Sequence, residues 1–107
     1  MKKIPLKEFQ KLDLRAGTVI VAEKIKDSPK LLRLEVDLGE EKRQIIAGIG
    51  KQYQPEKLTG QQIVILANLE TKVIFGLESQ GMLVAVDDET IALLRPDKKV
   101  KPGAKIS

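Results

Sequence analysis

With 107 residues the chain has room for one domain and little for a second core. It is 42% hydrophobic and 32% charged, the balance of a folded globular chain, and an aromatic share of 3% leaves the core to Val, Ile, Leu and Ala. It contains no Cys and no His, which removes disulfides, thiolate nucleophiles, cysteine zinc sites and the usual general base near neutral pH. Catalysis would need paired carboxylates or a buried lysine, and no such constellation stands out. A non-catalytic module without metal or cofactor is expected. The formal charge of +4, from 19 cations and 15 anions, fits two descriptions equally well. One is a solvated surface of mixed charge, Lys/Glu-rich as in heat-loving organisms; the other is a polyanion binder. No apolar run approaches the roughly 20 residues of a membrane helix. Lys2 and Lys3 are not followed by the apolar segment of a secretory signal. The expected location is the cytoplasm, away from membranes.

In chain order, Ile4 to Leu12 predicts a short helix with Pro5 in its first turn and Leu6, Phe9 and Leu12 on one side. The β-branched run Thr18 to Ala22 predicts a long first strand continuing toward Ile25, and Asp27-Ser28-Pro29 marks a turn. Leu32, Leu34, Val36 and Leu38 alternate with Arg33, Glu35 and Asp37, the period-2 pattern of a half-buried antiparallel strand. Gly39 to Lys42 forms the hairpin turn, and Arg43 to Ile46 returns. The stretch from Ala47 to Gly60 reads as a loop with a helical turn at Pro55 to Leu58. Ile63 to Ala67 is a continuous apolar strand expected to be buried on both faces. Asn68 to Ser79 reads as a polar loop, Met82 to Val86 as a strand, Asp87 to Thr90 as a hairpin tip and Ile91 to Leu94 as its return. A basic tail follows.

Five or more short strands, with a helical insertion between the third and fourth, match the plan of an OB-fold, a five-stranded Greek-key barrel. An SH3-like barrel or a small sandwich fits the strand count almost as well. The expected organisation is one domain over residues 1–107, with its barrel core at about 13–95.

Two groups of residues point toward a ligand. Lys30, Arg33, Lys42 and Arg43 lie on or beside one predicted hairpin, where cross-strand neighbours would line them into a stripe that follows phosphates. The competing account pairs Arg33 and Arg43 with Glu35, Asp37 or Glu41. The stretch from Asn68 to Met82 places Asn68, Lys72, Ser79 and Gln80 among glycines; such side chains bond base edges and sugars, and Met82 can lie against a base. An ordinary surface loop is the alternative, and Met82 would then be a core residue. With Phe9, Tyr53 and Phe75 as its only aromatics, the chain is poorly equipped to stack many bases and better suited to reading shape and backbone.

Five segments carry a resemblance, in order and spacing. They are Asp13-Leu14-Arg15-Ala16-Gly17, Arg43-Gln44-Ile45-Ile46-Ala47-Gly48-Ile49, Tyr53-Gln54-Pro55-Glu56-Lys57-Leu58-Thr59-Gly60, Ala67-Asn68-Leu69 and Gly76-Leu77-Glu78-Ser79-Gln80-Gly81-Met82. From Phe9 to Ile106 the chain resembles the tRNA-binding domain found at the C-terminus of many methionyl-tRNA synthetases, which also occurs free-standing and in endothelial-monocyte-activating-polypeptide-like cofactors. The resemblance implies an OB-fold, recognition of tRNA by shape with little sequence preference and, in the methionyl-synthetase type, a homodimer; the spare apolar residues of the terminal segments place the N-terminal helix and C-terminal tail in the expected dimer contact. The methionyl-tRNA synthetase catalytic domain is a further implied partner. Lys30, Asn68, Lys72, Ser79 and Met82 match the family's tRNA-contacting pattern, with Arg33 as an addition; Arg15 also matches but is expected to be structural. Many relatives carry a second cation beside Lys72, where this chain has Thr71 and Val73. A related branch of dimeric chaperones or export factors shares the fold, differs around Ile45 to Gly48 and lacks the Glu-Ser-Gln-Gly-Met string. A protein-binding chaperone is therefore the alternative function.

Overall fold

A computed structural model describes all residues from Met1 to Ser107. The elements in order are α1 (Leu6–Phe9), β1 (Leu14–Lys24), β2 (Leu32–Asp37), β3 (Lys42–Ala47), α2 (Pro55–Leu58) and β4 (Gln62–Leu66). They continue with β5 (Lys72–Ile74), β6 (Leu77–Ser79), β7 (Met82–Leu83), β8 (Ala85–Asp87) and β9 (Ile91–Leu93). The main sheet runs β3-β2-β1-β4-β7, with β5-β6 and β8-β9 as separate hairpins.

Strand β1 organises the barrel. Its first half, Leu14 to Thr18, pairs with β4, and its second half, Thr18 to Lys24, pairs with β2. A register shift between Val19 and Val21 lies where the partner changes. An extra residue there bends the strand and increases its twist, as a closing barrel requires. The alternation predicted for β2 is present, with Leu32, Leu34 and Val36 buried and the residues between them half-exposed. Together with Val19, Ile45, Leu58, Ile63 and Ile65 they form a core without a buried aromatic ring. The helical turn also stands where predicted: Pro55 occupies the first turn of α2, and Leu58 enters the core at 1% exposure. The turn after it is tied to β1, because Gly60 N donates to Val19 O and Val19 N donates to Gln61 O.

The barrel closes between β3 and the segment after β6 through side chains as much as backbone. Gln80 N donates to Gln44 O at 2.7 Å, Gln44 N donates to Gln80 Oε1 at 3.0 Å, and Gln44 Nε2 donates to Glu78 O at 2.8 Å. Ile46 N donates to Ser79 Oγ at 3.0 Å, so the outer edge of β3 is covered and does not offer a pairing edge to another chain.

Three expectations are corrected. β4 is not buried on both faces: Ile63 and Ile65 point into the core, while Val64 and Leu66 are half-exposed, because a barrel this small has one interior. The polar loop from Asn68 to Ser79 is in part a hairpin. β5 and β6 pair Lys72 with Ser79, Val73 with Glu78 and Ile74 with Leu77 around a two-residue turn at Phe75-Gly76. The predicted strand Met82 to Val86 is broken into β7 and β8 at Val84, whose N–H donates to Val64 O.

The C-terminal tail is docked on its own chain. Gly103 N donates to Ala16 O at 2.7 Å, Ala16 N to Ala104 O at 2.9 Å and Ile106 N to Leu14 O at 2.9 Å. This strap occupies the edge of β1 ahead of the stretch that β2 covers.

Candidate nucleic-acid interface

Arg43 does not join the predicted stripe of cations. β2 and β3 pair Arg33 with Ile46 and Val36 with Arg43. Paired residues share a face, and Arg43 stands three positions from Ile46, so Arg33 and Arg43 project on opposite sides of the sheet. Arg43 turns toward the barrel end and works as a clasp. Its Nη1 donates to Ala67 O at 2.7 Å and Gln80 O at 3.0 Å, while its Nε donates to Glu41 Oε1 at 2.6 Å. Arg33 lies on the outer face, where Nε donates to Glu23 Oε1 at 2.7 Å and Nη1 to Gln44 Oε1 at 3.1 Å. The competing account holds for Arg43, which pairs with Glu41, but not for Arg33, whose partner Glu23 on β1 lies outside the set Glu35, Asp37 and Glu41. The Arg33 side chain remains about a quarter exposed.

Lys30 and Lys72 are exposed and free of ion pairs. The Lys30 stem crosses Gly48, where an added Cβ would stand 3.2 Å from Lys30 Cε, so a side chain at position 48 would displace the lysine. Lys72 opens β5, opposite Ser79. Met82 is 50% exposed on β7 and is not a core residue.

Asn68 and Ser79 are placed differently from the other four. Asn68 Oδ1 accepts from Asp13 N at 2.8 Å, and Nδ2 donates to Lys11 O at 2.7 Å. The amide thus clips the N-terminal segment to the barrel. Ser79 is 3% exposed; its hydroxyl accepts from Ile46 N and donates to Gly81 O at 3.1 Å. Both lean on their own chain, because a short polar side chain next to a sheet edge supplies the donors and acceptors that a ladder would. The Glu78 to Gly81 string, specific in sequence, is the closure of the barrel.

Arg15 is structural, as expected. Its Nε donates to Asp13 Oδ1 at 2.8 Å and its Nη1 to Gly103 O at 3.2 Å. The hydrogen bond and charge of Asp13 raise its pKa above the ordinary arginine value. Tyr53 is likewise a brace: its hydroxyl donates to Ile91 O at 3.3 Å and accepts from Leu93 N at 3.1 Å, holding β9.

One candidate escaped the sequence. Phe75 is 58% exposed at the tip of β5–β6 with φ of +54°. A bulky residue in the left-handed region costs about 1–2 kcal/mol, and here burial returns little of it. The domain's own packing thus gives no reason for an exposed aromatic ring at this strained position. The available signal was the dipeptide Phe-Gly between two short β-prone runs, but hairpin turns are usually recognised by Asn-Gly or Asp-Gly.

Residues 14–105 match the family described as "Putative tRNA binding domain". The chain belongs to that family. It is also 59% identical over 104 residues to the methionine–tRNA ligase of Methanothrix thermoacetophila, and 51% identical over 105 residues to that of Thermotoga maritima. These alignments take in 96% and 97% of this chain but 15% and 17% of the ligases, so it corresponds to one part of them. Among solved structures, a MetRS related protein from Pyrococcus horikoshii superposes with a TM-score of 0.94 at 38% identity, covering 100% of both chains. The chaperone CsaA from Bacillus anthracis superposes at 0.91, also with 38% identity, over 99% of this chain and 100% of its own. The OB-like barrel is thus the shared frame of both branches. No helix is long and apolar enough to cross a membrane.

Proposed function

We propose that this domain binds tRNA through shape and backbone, with little sequence preference, and supports aminoacylation by a methionyl-tRNA synthetase without catalysing a reaction itself. The observation that carries this is family membership over residues 14–105, joined to 59% identity with part of a methionine–tRNA ligase. As a domain or separate subunit it would keep tRNA near the catalytic part, so that the second contact becomes effectively intramolecular. That role belongs to the cytoplasm, where translation runs. Lys30, Arg33, Lys72 and Met82 are the direct contacts in this reading. Asn68 and Ser79 act through the segments they hold.

The chaperone reading draws on the 0.91 superposition with CsaA. Filter binding of folded tRNA, duplex DNA and an unfolded polypeptide separates the two. Preferential retention of tRNA is expected, with affinity falling steeply as salt rises, and Lys72→Ala should flatten the log–log slope by up to about one unit. Preference for the polypeptide, or tRNA affinity indifferent to salt, would sink the proposal.

The working unit in this reading is a homodimer. Ile4 and Leu6 are each 68% exposed, and Phe9 and Leu12 are 36% and 42% exposed, although Asn68 fixes the segment that carries them. Leu69, next in sequence to Asn68, is also 47% exposed. A four-residue helix cannot persist on its own propensity, and a second copy across a two-fold axis would bury this patch against its equivalent. Sedimentation should give a dimer at micromolar concentration, and deletion of residues 1–11 should give a monomer. A monomeric full chain at that concentration would refute the dimer.

A further inference from the structure

The net charge of this chain is concentrated in its last residues. Arg95, Lys98, Lys99, Lys101 and Lys105 stand against Asp97 alone in residues 95–107, an excess equal to the whole formal charge of +4; the other 14 cations and 14 anions cancel. The cancellation is a total and not a local one, since residues 1–11 carry four lysines against Glu8 and residues 87–89 are all acidic. Lys11, Arg15, Arg33 and Arg43 each have a carboxylate oxygen within 3.1 Å; the five strap cations, like the remaining lysines, have no ion-pair partner, and all five are exposed.

These cations sit on a fixed track. Gln62 grips Val100 from both sides, accepting from its N–H at 2.9 Å and donating to its C=O at 2.7 Å. The bonds from Gly103, Ala104 and Ile106 to β1 hold the far end. At the near end Arg95 Nη1 donates to Gln61 Oε1 at 3.2 Å. Between Thr18, the Gly60 to Gln62 turn and residues 95–99 lies an open cleft of about 400 Å³ with no hydrophobic residue in its wall other than the ring of Pro96.

We propose that this strap, from Arg95 to Lys105, is a second RNA-backbone contact surface, neutralising phosphates outside the set formed by Lys30, Arg33 and Lys72. It rests on the reading that the domain binds tRNA. The chemistry favours phosphodiesters over an acidic protein. Protein interfaces draw their energy from buried aromatic and apolar anchors, and the strap has none: Val100 and Ile106 are both half-buried in the domain's own packing. Nor is there an aromatic ring on which a base could stack. What remains is unpaired positive charge at fixed spacing, which binds phosphates without regard to base and releases their counterions. Because the backbone track is already ordered, each lysine loses little more than its own rotamer freedom on binding.

The test is the full chain carrying Lys98→Gln, Lys99→Gln and Lys101→Gln together, with tRNA affinity measured across a salt series. All three side chains are exposed, so the melting temperature should hold. The log–log slope should become shallower by about two units, at 0.7–0.9 per phosphate contact, and affinity at low salt should fall at least tenfold, about 1.4 kcal/mol. The matching Lys→Arg variant should keep the wild-type slope. A Gln variant with wild-type slope and affinity, alongside a Lys72→Ala variant that is shallower, overturns the strap alone. A wild-type chain that fails to bind tRNA at any salt overturns the functional reading and the strap with it. Poly-glutamate bound as tightly as tRNA overturns the assignment to phosphates.

Discussion

Gly103→Ala is expected to lower stability by about 3 kcal/mol or more, which places it among the most damaging single methyl additions in the chain. Two effects add. The backbone at Gly103 has φ of +86°, where a side chain costs about 1–2 kcal/mol. A Cβ there would also stand 2.0 Å from Leu38 O, a backbone atom between β2 and its turn that has no rotamer to escape into. Relief requires the strap to lift, breaking the 2.7 Å bond from Gly103 N to Ala16 O and the contact from Arg15 Nη1 to Gly103 O. For a domain near 100 residues, 1 kcal/mol corresponds to about 4–8 °C, so thermal unfolding should come at least about 12 °C earlier. Gly60→Ala separates the two effects. Gly60 has φ of +90°, but nothing lies within 4 Å of its added Cβ, so only the backbone cost of about 1–2 kcal/mol is expected. Equal losses in the two variants would show that the close approach of the strap to Leu38 contributes nothing.

Ser79→Ala and Met82→Ala should divide stability from binding, in the reverse of the way the two residue types suggest. Ser79 is polar but buried, and removing its hydroxyl leaves Ile46 N–H without a partner behind a covered strand edge. A buried donor stranded in this way costs about 1–3 kcal/mol. Met82 is apolar but half-exposed, and its truncation should stay within about 0.5 kcal/mol of wild-type stability. In the tRNA-binding reading the ranking inverts for affinity. Met82→Ala removes apolar area offered to a nucleotide and should weaken binding about two- to tenfold. Ser79→Ala, while folded, should bind more weakly only so far as the closure loosens. Melting curves and tRNA titrations on both variants decide it. An unchanged melting temperature for Ser79→Ala would refute the closure role, and unchanged affinity for Met82→Ala would remove that residue from the contact surface.

Much of this architecture was legible in the residues themselves. The alternation of Leu32, Leu34 and Val36, the Pro55 start of α2 and the turn at Asp27 are local consequences of side-chain period and backbone preference, and each appears where the sequence places it. The family was legible for a related reason: the strings around Ala67-Asn68-Leu69 and Glu78 to Met82 are specific combinations. What those strings do was not legible. Whether Ser79 faces a ligand or the inside of the barrel depends on how β6 meets β3, two elements more than 30 positions apart. Whether Arg43 joins Arg33 depends on the register of β2 against β3, since one step of slip sends a side chain to the opposite face. The β5–β6 hairpin escaped because Val73 and Phe75 are exposed beside polar neighbours, and without one buried face a strand leaves no alternation to read. The strap makes the same point about charge. Its composition was visible as a basic tail, but only the tertiary bonds from Gln62, Ala16 and Leu14 make it a fixed track, because a run of lysines without such bonds has no set spacing to offer a phosphate backbone.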